Sequence, residues 1–158
     1  GVGPSMGALL AEDGLVSGYH VGDLNPQAVE LLQMNIEHLV SKSSGSNFSP
    51  ATIRCADATK WAMDDGLVES CDLLLVNLPH DSISHLPKLI PLLKKGDTTV
   101  LRGWAIIDKD EFESQKQLII EAIEKTSTII ESVTIGEIKG FSSSKCFACF
   151  EVWLSRPI

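Results

Sequence analysis

The sequence has little positive charge. Thirteen Lys and Arg stand against 21 Asp and Glu, for a net charge of −8. A surface that grips nucleic acid through its phosphates is normally basic, so this chain is not by itself a main RNA-gripping surface, although another domain could supply one. No apolar run approaches the ~20 residues that a helix needs to cross a bilayer, so no membrane partner is expected. The longest apolar stretches, 73–76 and 105–107, have the length of core strands. Cysteine is sparse: of Cys55, Cys71, Cys146 and Cys149, only the last two have CxxC spacing. No second CxxC or His-x-x-x-His follows to complete a zinc site. Residues 145–154 alternate like a strand, on which positions three apart face opposite ways. Buried thiols in a reducing, cytoplasmic compartment are expected, and no metal. No signal peptide is legible.

What is present fits one soluble domain: 158 residues, 44% apolar and 22% charged, an ordinary globular balance. Helix and strand patterns alternate. A helix is expected over 4–13, stopped by Gly14, then a strand over 15–24. Residues 25–41 read as a strong helix, with Asn25 as cap, Pro26 at the first helical position and Val29, Leu32, Ile36 and Leu39 at helical spacing. A Ser/Gly-rich loop covers 41–50. A short strand over 52–56 and a short helix over 59–64 follow. The continuous apolar run 71–78 has the character of a parallel strand buried on both faces. A helix over 82–95 carries Pro87 and Pro91 as interruptions. Then come a strand over 98–107, an amphipathic helix over 110–126, and strands over 128–139 and 145–156 joined as a hairpin. This alternation implies an α/β fold, a Rossmann-like sheet with helices on both faces and a C-terminal antiparallel hairpin.

Four signals fall where such a fold binds ligands, beyond the carboxyl ends of its strands. Gly1-Val-Gly3-Pro4-Ser5-Met6-Gly7 opens the first helix. Its glycines would let a ligand approach the backbone, and the helix start offers free N–H groups. The spacing is G-x-G-x-x-x-G, not the G-x-G-x-x-G of most dinucleotide sites, which favours S-adenosylmethionine over NAD. Asp23, about twenty residues on, ends the next strand, where a carboxylate can accept both ribose hydroxyls of an adenosine. Asp57 follows the strand after that, placed to accept from an adenine amino group. Asn77-Leu78-Pro79-His80 ends the strongest strand, and Asn77 could present its carbonyl and amide to a planar substrate. Each has a plain structural explanation in isolation: a helix-start turn, helix caps, a strand-to-loop turn. Their order along the chain is what makes them a constellation.

With these residues the chain resembles the archaeal and eukaryotic tRNA guanine-N1 methyltransferases, class I S-adenosylmethionine-dependent enzymes. Gly-Val-Gly-Pro at 1–4, Asp-Leu-Asn-Pro at 23–26, Asn35-Ile36, Asp57-Ala58, Asn-Leu-Pro at 77–79 and the final Lys145–Leu154 run carry the resemblance, which covers nearly the whole chain. The wybutosine-pathway aminocarboxypropyl transferases share this core, and a methyltransferase of non-RNA substrates or a non-catalytic binding module would also be compatible with these residues. The resemblance implies a tRNA-modifying enzyme in which Gly1 and Gly3 line the methionine end of the cofactor, Asp23 holds the ribose, Asp57 the adenine side, and Asn77 and Pro79 face the target base. It also implies a strand before Gly1, central in the sheet and missing here. Upstream regions would grip the tRNA and carry the general base, so 1–158 is expected to be the cofactor-binding catalytic core of a longer protein. His80 is a reserve proton acceptor. The chain departs from the family after its fifth strand, where Leu101-Arg102-Gly103-Trp104 stands in place of His and aromatic residues. Arg102 and Trp104 are candidates to meet RNA or to pack locally, and Lys88, Lys94 and Lys95 form a small basic cluster.

Overall fold

A computed structural model describes residues 17–42, 51–63 and 66–158. The expected helix over 4–13, most of the loop over 41–50 and the glycines Gly1 and Gly3 lie outside the described residues. The chain divides into two compact units, Gly1–Ala58 and Thr59–Ile158.

In the first unit, β1 (Tyr19–Asp23) and β2 (Ala51–Cys55) run parallel, in a register that sets Asp23 beside Cys55. Helix α1 (Pro26–Lys42) connects them. It starts where the sequence says it should. Pro26 needs no N–H partner at a helix start, the Asn25 carbonyl accepts the Val29 N–H at 3.1 Å, and the Asn25 Oδ1 accepts the Gln27 N–H at 3.0 Å. Leu32 and Ile36, four residues apart and hence on one face, are buried.

The second unit holds β3 (Leu73–Asn77), α2 (Ser82–Leu89), β4 (Thr98–Asp108), α3 (Phe112–Glu124), β5 (Ile129–Gly140) and β6 (Lys145–Ser155). Its sheet has the order β3-β4-β6-β5, with β3 and β4 parallel and the other pairs antiparallel. The period of two along β6 is clear: Cys146, Ala148, Phe150, Val152 and Leu154 are all fully buried. Helices α2 and α3 pack on each other and on β4, and bury Leu86, Leu89, Ile119 and Ile123. Each such side chain stabilises the fold by about 1.5–3 kcal/mol relative to exposure. The expected hairpin is present, its turn closed by Phe141 and Ser142 N–H groups on the Lys145 carbonyl, both at 2.9 Å.

Three expectations need adjustment. The strand expected over 71–78 with both faces buried is β3 (Leu73–Asn77), in which Val76 is buried but Leu73 is exposed and the rest are half-buried. The helix expected over 82–95 stops at Leu89 and continues only as a 3₁₀ turn, Ile90–Leu92. Pro87 is accommodated inside α2, but Pro91 again withholds an N–H and restricts the residue before it, which ends the helix. The sheet is also not continuous among the described residues. Among the described residues β1 pairs only with β2, and β3 only with β4.

Candidate functional site

The first unit brings two of the expected residues to one edge. Asp23 ends β1 and Asp57 follows β2, and these strands are parallel neighbours, about 4.8 Å apart in such a ladder. The Ala56 N–H donates to the Asp23 carbonyl at 3.2 Å, carrying the connection one residue beyond the strands. Asp23 is exposed and Asp57 half-buried. Asp23 has a local task as well: its Oδ1 accepts the Asn25 N–H at 2.8 Å, a turn that leads into the cap of α1. One carboxylate oxygen thus fixes the strand-to-helix corner, on a residue that is exposed. An adenosine offers vicinal ribose hydroxyls and an amino group, all donors, and two acidic side chains on adjoining strand ends are acceptors for them. The donor–acceptor chemistry fits. Gly1 and Gly3 lie outside the described residues.

In the second unit, Asn77 is the last residue of β3 and lies beside Trp104 of β4. The loop after it is tied down on every side. The Leu78 carbonyl accepts the Asp81 and Ser82 N–H groups at 2.8 and 2.7 Å, and the Pro79 carbonyl accepts the Ile106 N–H at 2.9 Å. The Leu78 N–H donates to the Ser82 hydroxyl at 3.1 Å, which in turn lies 2.7 Å from the Trp104 carbonyl. Asn77 and Pro79 are half-buried and His80 is exposed. Beside this loop, between α2, α3 and β4, opens a cavity of about 480 Å³ whose lining includes Pro79, His80, Ile83, Ile106, Leu118 and Lys125. The lining mixes apolar side chains with His80, Ser84, Gln115, Glu121 and Lys125.

The structure reassigns several other residues. Trp104 is 5% exposed, so it packs in the core and presents no stacking face. Arg102 sits in mid-strand opposite Glu151 and is paired with it, its Nε donating to Oε2 at 2.9 Å and its Nη2 contacting the same oxygen. The Trp153 indole N–H donates to the other Glu151 oxygen at 2.9 Å. Together the Trp153 hydrogen bond and the Arg102 guanidinium hold the Glu151 carboxyl below its usual range. Lys94 bonds Asp72 and Lys95 bonds Glu69, each at 2.8 Å. Those two lysines are spent on carboxylates and form no phosphate track with Lys88. Cys146 and Cys149 fall on opposite faces of β6, one buried and one half-buried, both as free thiols. Burial pushes both thiols up from their ordinary range. Ser82, the hub of the Asn77 loop, is the residue that sequence reasoning missed. A lone serine at a helix start gives no signal of a tertiary contact.

Comparison with solved structures adds the fold family. M. jannaschii TYW2 in complex with AdoMet superposes with a TM-score of 0.73 at 16% identity, over 93% of this chain and 62% of that one. M. jannaschii tRNA m1G37 methyltransferase gives 0.56 at 17% identity, over 87% of this chain and 37% of that one. A SAM-dependent methyltransferase from Methanosarcina mazei gives 0.66 at 10% identity, over 95% and 86%. The chain therefore spans 62% of the length of the TYW2 protein and little more than a third of the tRNA methyltransferase. No protein-family model and no curated protein matches the sequence. At these identities the likeness establishes the fold, that of class I S-adenosylmethionine-dependent methyltransferases.

Proposed function

We propose, from a class I methyltransferase fold as premise, that the protein is an enzyme transferring the methyl group of S-adenosylmethionine to tRNA, with guanine N1 next to the anticodon as acceptor. The observation that carries the reading is the pair of acidic residues, Asp23 and Asp57, at adjoining carboxyl ends of parallel strands, with Asn77-Leu78-Pro79 at the carboxyl end of another. In this reading Asp23 accepts from the ribose hydroxyls, Asp57 receives the adenine side, and Gly1 and Gly3 lie along the methionine end. When bound, the cofactor supplies an electrophilic methyl carbon. The residues of the chain have then to hold an acceptor in line with it and keep it there. Asn77 carries both a carbonyl and an amide, so it can grip the donor–acceptor edge of a guanine, and Pro79 supplies a rigid apolar wall. The N1 proton must leave for attack to occur. His80, exposed and part of the cavity lining, is the candidate within this chain. The resemblance assigns that proton acceptor, the RNA-gripping surface and the strand before the glycine loop to the rest of a longer protein, whose catalytic core this chain would be. The cytoplasm, where tRNA is processed, is the compartment this implies.

A second reading uses the same cofactor and RNA but transfers the aminocarboxypropyl group. The superposition on the AdoMet-bound TYW2 structure, with a TM-score of 0.73, is the reason to keep it. One experiment tests both. The full-length protein is titrated calorimetrically with S-adenosylmethionine, then incubated with it and unmodified tRNA. Micromolar binding with release of S-adenosylhomocysteine supports the methyltransferase, and release of methylthioadenosine supports the alternative. Failure to bind the cofactor overturns both.

A further inference from the structure

We infer that Ser82 is a positioning residue for the proposed reaction, setting the angle at which the Asn77-Leu78-Pro79 loop leaves β3; this rests on the role given above to Asn77. Ser82 is 1% exposed and stands at the first position of α2, five residues after Asn77. Its hydroxyl accepts the Leu78 N–H at 3.1 Å. It has one proton to give, and two carbonyls compete for it at close range: Trp104 at 2.7 Å and Leu78 at 2.8 Å. The two choices differ in consequence. A bond to Leu78 closes within the loop. A bond to Trp104 fastens the loop to the neighbouring strand, at the residue that lies beside Asn77 in the β3–β4 register.

The rest of the loop backbone is held by main-chain partners: Asp81 and Ser82 N–H groups on the Leu78 carbonyl, and the Ile106 N–H on the Pro79 carbonyl. The Leu78 N–H differs in that its acceptor is a side chain, the hydroxyl of Ser82. An alanine at 82 would leave this part-buried N–H without that acceptor and cut the cross-strand link, at a cost the loop can relieve only by moving. Asn77 adjoins Leu78, so its amide moves with it. Displacement by a fraction of an ångström is enough to spoil alignment between an acceptor atom and a transferring carbon.

The test uses the full-length protein. Ser82→Ala is expected to speed hydrogen exchange at the Leu78 amide by about tenfold or more. It should also lower kcat, counted per molecule that binds S-adenosylmethionine, by about 10- to 100-fold. The Kd for S-adenosylmethionine stays within about twofold of wild type, because Asp23 and Asp57 are untouched. Ser82→Thr, which keeps the hydroxyl, restores kcat wherever it restores Leu78 protection. Counting per binding molecule removes any unfolded fraction. An unchanged kcat in Ser82→Ala overturns the inference, and so does a kcat that falls only in step with cofactor affinity. If the wild type makes no product, the proposed function has failed instead. The Leu78 exchange rate then decides alone: no acceleration in Ser82→Ala means that Ser82 does not fix the loop.

Discussion

Gly103 lies directly opposite Phe150 across the antiparallel β4–β6 pair, and the Phe150 ring occupies the space that a side chain at 103 would need. A Cβ built on Gly103 would overlap the ring at Cζ and lie 2.6 Å from Cε1. Phe150 is completely buried, so it cannot swing into solvent to make room. Gly103→Ala is therefore expected to destabilise the protein by about 1–3 kcal/mol, the usual cost of overpacking a core. Phe150→Leu placed in the same molecule should recover part of that loss. Urea unfolding of the two single variants and the double variant checks both statements. Additive destabilisation would mean that the two positions do not compete for space.

Glu151 gives the fold an acid-sensitive contact. Its carboxyl is held below the ordinary range by the Trp153 indole and then by Arg102. A carboxyl with a depressed value in the folded state contributes stability that is complete above its unfolded value, about 4.3, and is lost as pH falls through the lower folded value. The group is partly exposed, so its contribution is modest. Glu151→Gln should be less stable than wild type at neutral pH, and the gap should close as pH falls below about 4. Chemical denaturation across that range reads the gap directly. A gap that stays constant with pH would remove the charge from the explanation.

The four thiols should separate by burial. Cys55 is exposed, Cys71 and Cys149 are half-buried, and Cys146 is wholly buried. Burial raises the thiols of Cys146 and Cys149, which lowers their thiolate fraction further. Under native conditions a maleimide should modify Cys55 first and Cys146 only on unfolding, as read by peptide mass mapping. Rapid labelling of Cys146, or stoichiometric zinc retained by the purified protein, would contradict the placement of Cys146 and Cys149 on opposite strand faces.

Local pattern made much of this fold legible. Asn25-Pro26 marks the start of α1, alternation along 145–154 marks β6, and Cys146 and Cys149 separate because a strand has a period of two. Asp23 and Asn77 end strands and Asp57 follows one, as the sequence pattern implied, and strand ends are where this architecture places chemistry. What stayed hidden depends on register. Arg102 and Glu151 are 49 residues apart, and only the antiparallel pairing of β4 with β6 makes them neighbours. The same pairing puts Gly103 against Phe150. Trp104 reads as a candidate for stacking on RNA until the sheet buries it. Ser82 carries no periodic or compositional mark, because its hydroxyl meets a carbonyl 22 residues away.

Asp23 has one observed task and one proposed task, and substitution can separate them. Its Oδ1 accepts the Asn25 N–H and shapes the entry to α1. Its charge and remaining acceptor capacity are what the proposed ribose contact uses. Asp23→Asn keeps an Oδ1 for the turn but loses the charge and converts one acceptor into a donor. Asp23→Ala loses everything. The expected result for Asp23→Asn is near-wild-type thermal stability with cofactor affinity weakened about tenfold or more, since a paired charged acceptor contributes about 1.5–3 kcal/mol. Asp23→Ala should weaken binding at least as much, and also lose about 1 kcal/mol of stability through the corner. Calorimetric titration and thermal melts of the two variants supply the comparison. If Asp23→Asn binds S-adenosylmethionine as wild type does, Asp23 is a turn residue only. The adenosine contact would then have to fall to Asp57, whose own substitution becomes the decisive one.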